Sequence, residues 1–102
     1  MKRLSFRIAR DHPCGEDHFP GNPIVPGAVL LDEVIAAIER ATGRAPVAWT
    51  VVAAKFLQPV RPGDALELGL EETADGGVRF ECLRDERAVL SGRVHPTRGE
   101  AD

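Results

Sequence analysis

At 102 residues the chain fits one domain, since domains typically run to roughly 100–150 residues, and its 43% apolar share supports a single core. No run approaches the ~18 unbroken apolar residues of a membrane span, and Met1–Arg7 carries charge with no apolar run behind it, so neither a span nor a signal peptide is expected. A net charge of −3 repels nucleic acid, and two cysteines, Cys14 and Cys82, are too few for a disulfide scaffold, which leaves reduced thiols in a cytoplasmic, globular protein as the expectation.

Residues 4–10 alternate as in a half-buried strand, with Leu4, Phe6 and Ile8 on one side and Ser5, Arg7 and Ala9 on the other. Residues 11–27 hold Pro13, Pro20, Pro23 and Pro26 together with Gly15, Gly21 and Gly27. Proline fixes φ and lacks an N–H, so this segment is neither regular helix nor central strand. Its apolar side chains Phe19, Ile24 and Val25 favour an ordered loop. A helix is expected from near Gly27 to about Thr42, with Gly43 as the stop. Leu30, Leu31, Val34, Ile35, Ala37, Ile38 and Ala41 form its broad apolar face, while Asp32, Glu33, Glu39 and Arg40 gather opposite, with Ala36 among them.

Strands account for the rest. Val47–Leu57 is rich in β-branched residues, and Gln58–Asp64, with two prolines, breaks it. Leu66, Leu68 and Leu70 alternate with Glu67, Gly69 and Glu71; Asp75-Gly76-Gly77 offers the positive φ of a tight turn. Val78, Phe80 and Cys82 alternate with Arg79 and Glu81, Asp85-Glu86 turns, and Ala88–Val94 closes the run. The order strand, helix, four strands predicts an α+β fold, an antiparallel sheet on one helix. Residues 1–96 are expected to form the domain and 97–102, polar and aperiodic, a flexible tail.

The informative stretch is Asp17-His18-Phe19-Pro20-Gly21-Asn22-Pro23-Ile24-Val25-Pro26-Gly27-Ala28-Val29-Leu30-Leu31-Asp32. It resembles the active-site signature of the FabA and FabZ 3-hydroxyacyl-carrier-protein dehydratases: His-Phe-Pro-Gly, one residue, Pro, two apolar residues, Pro-Gly, then an acid fourteen residues after the His, here Asp32. Lys55-Phe56-Leu57-Gln58-Pro59-Val60-Arg61-Pro62-Gly63-Asp64 resembles the strand and turn that follow the helix in that family. The resemblance covers roughly residues 5–95.

It implies a hot-dog fold, in which a curled antiparallel sheet wraps a long central helix, and a dimer whose acyl tunnels lie between subunits. The His of one chain then meets the acid of the other. It further implies reversible removal of water from a 3-hydroxyacyl thioester carried on acyl carrier protein, giving a trans-2-enoyl product without a cofactor or metal. His18 and Asp32 take the catalytic positions. Gly27, Phe19, Val25, Pro26 and Ala28 line the substrate slot. Lys55 and Arg61, and the face of Arg7 and Arg10, are the candidates for meeting the acidic carrier.

The chemistry suits these residue types. Dehydration needs a base for the C2 proton, an acid for the departing C3 hydroxyl, and a donor for the charge growing on the thioester oxygen. An imidazole, with an ordinary pKa near ~6.5, serves as base at neutral pH. A carboxyl group serves as acid where an apolar tunnel holds its proton on. Gly27, at the helix start, offers an unpaired N–H at the positive end of the helix dipole, with no side chain to block a carbonyl. The prolines stiffen the loop that carries His18 before substrate arrives.

Plainer readings stand beside these. His18 also fits an ordinary loop histidine. Asp32, at the edge of the polar arc, also fits simple exposure, and Gly27 can be a requirement of the turn. Asp11, His12, Cys14, Glu16, Asp17 and His18 are all metal-ligand types, but their spacing matches no common zinc pattern. Trp49 reads as core, and His12 and His95 as surface or strand-end residues. The chain departs from the family in having Asp17 where most members have Gly, Ala36 where many have Gln, and no tyrosine to gate the tunnel. Those departures leave acyl length and subtype open, and the shortness is nearer to the dehydratases of specialised pathways such as polyene pigments. Two other functions remain: an acyl thioesterase, and a non-catalytic hot-dog partner subunit of a synthase cluster.

Overall fold

The computed structural model describes residues 2–8, 24–46 and 48–97, and these form one helix and one five-stranded antiparallel sheet. In chain order they are β1 (Lys2–Arg7), α1 (Gly27–Thr42), β2 (Trp49–Phe56), β3 (Ala65–Glu72), β4 (Val78–Arg84) and β5 (Arg87–Pro96). The strands lie in the order β1-β3-β4-β5-β2, so β1 and β2 are the two edges and β2 pairs with a strand three further along the chain.

The alternation read from the sequence decides which face is covered. Leu66, Leu68 and Leu70 of β3 and Val78, Phe80 and Cys82 of β4 are buried under the helix, whereas Arg79 and Glu81 stand in solvent. Leu4 and Phe6 of β1 face the same way, opposite Leu68 and Leu66, and Ile8 is buried just beyond the strand. β1 spans Lys2–Arg7, starting two residues before the expected strand and pairing as far as Arg7 opposite Ala65; residues 9 and 10 of the expected strand lie outside the described residues.

On α1, Leu30, Val34, Ala37 and Ile38 are fully buried, with Val29, Leu31, Ile35 and Ala41 packed part-buried beside them. Pro26 precedes the helix without a side-chain cap, its fixed φ suiting the turn into the first residue. Gly43 ends it in the left-handed conformation, φ 71°, its N–H donating to the Glu39 carbonyl at 2.9 Å. Trp49 packs part-buried against the core, its Nε1 donating to Glu39 Oε2 at 3.0 Å and the Arg44 guanidinium lying 5.6 Å from the ring centre.

The hairpin turns differ in chemistry. Between β3 and β4, Gly76 supplies φ 90°. Between β4 and β5 no glycine is present, and Asp85 and Glu86 take φ of 50° and 65°, the handedness that matches a two-residue turn to twisted strands. At the far end, Thr97 remains tied to the sheet by its N–H to the Ala48 carbonyl, 2.9 Å; the rest of the expected tail, 98–102, lies outside the described residues.

The β2 edge is different in kind from the β1 edge. β1 carries Lys2, Arg3 and Arg7, the charges that keep an open edge from pairing. In β2 the residues Thr50–Ala54 are uncharged, every residue from Thr50 to Phe56 is exposed, and Val51, Val52, Phe56 and Leu57 are all more than 40% accessible.

Candidate active site

At the start of α1 the covered face of the sheet opens into a cleft of about 480 Å³. Val25, Gly27 and Leu30 line one side; Phe56, Leu57 and Val60 line the other. β2 brings Phe56 here, and the turn after it brings Val60, whose carbonyl accepts the Val25 N–H at 2.7 Å. That bond aligns the chain two residues before the helix begins. The first intrahelical bond runs from the Leu30 N–H to the Pro26 carbonyl, 3.0 Å, so the N–H groups of the turn before it have no acceptor within the helix.

Gly27 does not sit at a positive φ, so backbone torsion does not require a glycine there. A Cβ there would stand 3.1 Å from Cε1 and Cζ of the Phe56 ring. That is a correction to reading Gly27 as a turn requirement: the close neighbour is an aromatic ring from a strand 29 positions later. Phe56 is the site residue that the sequence did not disclose as one. Its only signal was its place in the Lys55-Phe56 pair at the end of a strand.

Of the residues singled out from sequence, the cleft gathers Gly27 and Val25 directly, with Pro26 part-buried between them. Ala28 is exposed on the first turn of α1, and Asp32 is exposed on the helix surface and is not part of the cleft wall within one chain. Lys55 points from the opposite face of β2 to Phe56, and Arg61 is exposed one residue beyond Val60, its N–H donating to Asp64 Oδ2 at 2.8 Å. Arg7 Nη1 donates to the Gly63 carbonyl at 2.6 Å. His18, Phe19 and Arg10, with the ligand-type group Asp11–His18, lie outside the described residues.

A larger concavity, about 730 Å³, lies on the outer face over β1, β3 and β4. Arg3 and Glu67, paired with each other, line it beside Phe6, Leu66 and Leu83, away from the helix start. No residue of α1 lines it, so the smaller cleft, at the helix start, is the candidate site. Cys82 is buried beneath the sheet, where lack of solvation pushes its thiol up to about 12, which leaves it unreactive.

Comparison with known proteins places this geometry. The ApeI dehydratase model of the ApeI-like family matches residues 1–93. The chain belongs to the ApeI-like dehydratase family. A 3-hydroxyacyl-[acyl-carrier-protein] dehydratase FabZ of Brucella melitensis is 35% identical over 92 residues, covering 80% of this chain and 59% of that protein. The FabZ of Lactobacillus helveticus is 32% identical over 90 residues, covering 78% and 61%. This ApeI-like chain thus spans about three-fifths of the length of the curated relatives it matches. Among solved structures, one from the dehydratase heterocomplex ApeI:P of Xenorhabdus doucetiae superposes with a TM-score of 0.75 at 23% identity, covering 94% of this chain and 86% of that one. The (R)-hydratase of A. caviae superposes at 0.64 with 17% identity, covering 91% and 89%. These likenesses establish the hot-dog fold for the ApeI-like chain. No helix among its described residues is long and apolar enough to cross a membrane.

Proposed function

We propose that this chain removes water reversibly from 3-hydroxyacyl thioesters presented on acyl carrier protein, as the names of its FabZ relatives suggest. The observation that carries the reading is the apolar cleft at the start of α1, where Gly27 has no side chain and its N–H points out of the helix terminus. A thioester oxygen at that N–H gains a hydrogen bond that strengthens as negative charge builds on it. His18 takes the C2 proton. The electron pair left behind forms the C2–C3 double bond as the C3–O bond breaks, and the hydroxyl leaves as water on receiving a proton from Asp32. His18 and Asp32 then exchange their protons with solvent, so no cofactor enters the balance.

Asp32 acts in the partner's site in this reading, and a second copy of the chain is the assembly we propose. Support comes from β2: an open edge of unpaired backbone groups flanked by exposed Val51, Val52, Phe56 and Leu57, in contrast to the charged β1 edge at the other end of the sheet. Joining two such edges buries those side chains and adds the neighbour's helix surface, Asp32 included, to the cleft. Phe19 joins Val25, Pro26, Ala28 and Phe56 as the slot lining. Lys55 and Arg61, both exposed, flank the strand and turn that form the cleft wall, where an acidic carrier would dock. Residues 1–96 form the acting unit, and a cytoplasmic setting suits its carrier.

The test is mass spectrometry of products after incubation with crotonyl- to decenoyl-carrier thioesters. The reading expects 3-hydroxyacyl products from the parent protein and none from purified His18→Ala. Release of free thiol without hydration would instead make the chain a thioesterase. A homodimer that is inert until mixed with a paralogue would make it a partner subunit.

A further inference from the structure

The described residues that flank the segment carrying His18 are both fastened to one turn. Before it, Ile8 donates its N–H to the Asp64 carbonyl at 3.3 Å and accepts from the Gly63 N–H at 2.7 Å. After it, Val25 donates to the Val60 carbonyl at 2.7 Å. Ile8, Val25 and Val60 are all buried, so these bonds sit in a low-dielectric setting where they resist exchange with water. The turn is itself closed by a reciprocal pair, Arg61 N–H to Asp64 Oδ2 at 2.8 Å and Asp64 N–H to the Arg61 carbonyl at 3.0 Å.

What braces that turn comes from elsewhere in the sheet. Arg84, the last residue of β4, sends Nη1 to the Pro59 carbonyl at 2.6 Å and to Asp64 Oδ2 at 2.9 Å. One guanidinium nitrogen carries two hydrogens and so can serve both acceptors at once. The pair is three-quarters withdrawn from solvent, with side-chain exposures of 27% and 25%, so it is less screened than an exposed ion pair. Pro59 adjoins Val60, whose carbonyl holds Val25 two residues ahead of Gly27.

We propose that Arg84 is a positioning residue for the dehydration site: through the 59–64 turn it sets Val25, hence Gly27, and both flanks of the segment that carries His18. This rests on the function argued above. Arg84 lies outside the cleft wall and touches no substrate in this account. Its removal leaves the Pro59 carbonyl and the Asp64 carboxylate without their shared donor, and the turn relaxes toward solvent. A shift of about 1 Å in a reacting group costs on the order of 100-fold in rate.

The experiment compares Arg84→Met, which keeps the stem, with Arg84→Lys, which restores a single donor nitrogen, in the full chain well below the melting temperature. Arg84→Met is expected to lower kcat about 10- to 100-fold with KM changed less than about threefold, and Arg84→Lys to recover part of the loss. Amide hydrogen exchange gives a readout that does not need activity: protection at Val25 and Gly63 should fall in Arg84→Met while Ile38 and Leu90 keep theirs. A kcat within about twofold of the parent, or equal protection at Val25, overturns the proposal. Lost protection at Val25 in Arg84→Met, together with a parent protein that turns over no enoyl thioester, would leave the clamp standing and sink the function instead.

Discussion

Gly92→Ala should cost this protein far more than a methyl group ordinarily does. Gly92 lies in β5 opposite Phe80 and Ala54, beside the irregularity in β2 between Val51 and Ala53. An added Cβ would sit 2.2 Å from the Ala53 oxygen, 3.0 Å from Phe80 Cζ and 3.1 Å from Ala54 Cα. Heavy atoms pack comfortably near ~3.5 Å, so the oxygen must retreat by about 1 Å. It belongs to the backbone and cannot rotate aside. β5 is the one strand β2 pairs with among the described residues, and losing two ladder bonds at about 1 kcal/mol each gives about 2 kcal/mol, within the roughly 1–3 kcal/mol typical of overpacking. The stiffer unfolded chain returns about 0.5 kcal/mol. At roughly 4–8 °C per kcal/mol for a domain of this size, the melting temperature should fall by about 6–12 °C. Circular dichroism at fixed protein concentration measures it, and Trp49 fluorescence reports β2 locally. A melting temperature within about 2 °C of the parent would show that β2 gives way freely and that the close approach constrains nothing.

Three further outcomes follow from named contacts. Gly27→Ala should leave the melting temperature unchanged or raise it, since alanine favours helix and the half-exposed Phe56 ring can yield a few tenths of an ångström, yet kcat should drop at least about 10-fold because a methyl stands where the carbonyl docks; steady-state kinetics beside a melt separates the two. Asp75 is held below its ordinary 3.8 by the Thr73 hydroxyl and then by the Gly77 N–H at 3.1 Å, so its stabilisation of the β3–β4 turn is present above that value and lost as pH falls through the lowered one. Asp75→Ala should therefore melt lower than the parent at pH 7, with the gap closing in acid; a gap independent of pH would contradict this. Cys82, with its thiol pushed up to about 12, should resist alkylation at pH 8 in the folded protein of a Cys14→Ser background and react once denatured, as intact-mass measurement would record.

Local chemistry made much of the fold legible. The apolar period of residues 30–41 and the lone Gly43 mark α1 to its last residue, and the alternating leucines of β3 mark the covered face before any pairing is known. The hot-dog resemblance supplied the architecture that periodicity alone cannot, because β2 joins β5 across two intervening strands. Val51, Val52, Phe56 and Leu57 read as ordinary strand residues, yet one chain leaves them in solvent, because strand propensity does not say which strand faces are covered. The glycine at 92 had no turn context, and its reason lies in a carbonyl from a strand some 40 positions earlier. At the site, Gly27 and Val25 were readable from the signature, whereas Phe56 over Gly27 and Arg84 on the 59–64 turn are non-local contacts that spacing does not encode. Asp32 was placed at the edge of the polar arc and stands exposed there.

The account turns on a catalytic pair split between two copies of the chain, and subunit exchange tests that directly. His18→Ala and Asp32→Asn, each inert alone, are unfolded together in equal amounts and refolded. Half of the resulting dimers are mixed, and each mixed dimer rebuilds one intact site of its two, so hydration of crotonyl-carrier thioester should return to about a quarter of the parent rate. No recovery, with mixed dimers confirmed by native mass spectrometry, would contradict a site shared across the β2 edge.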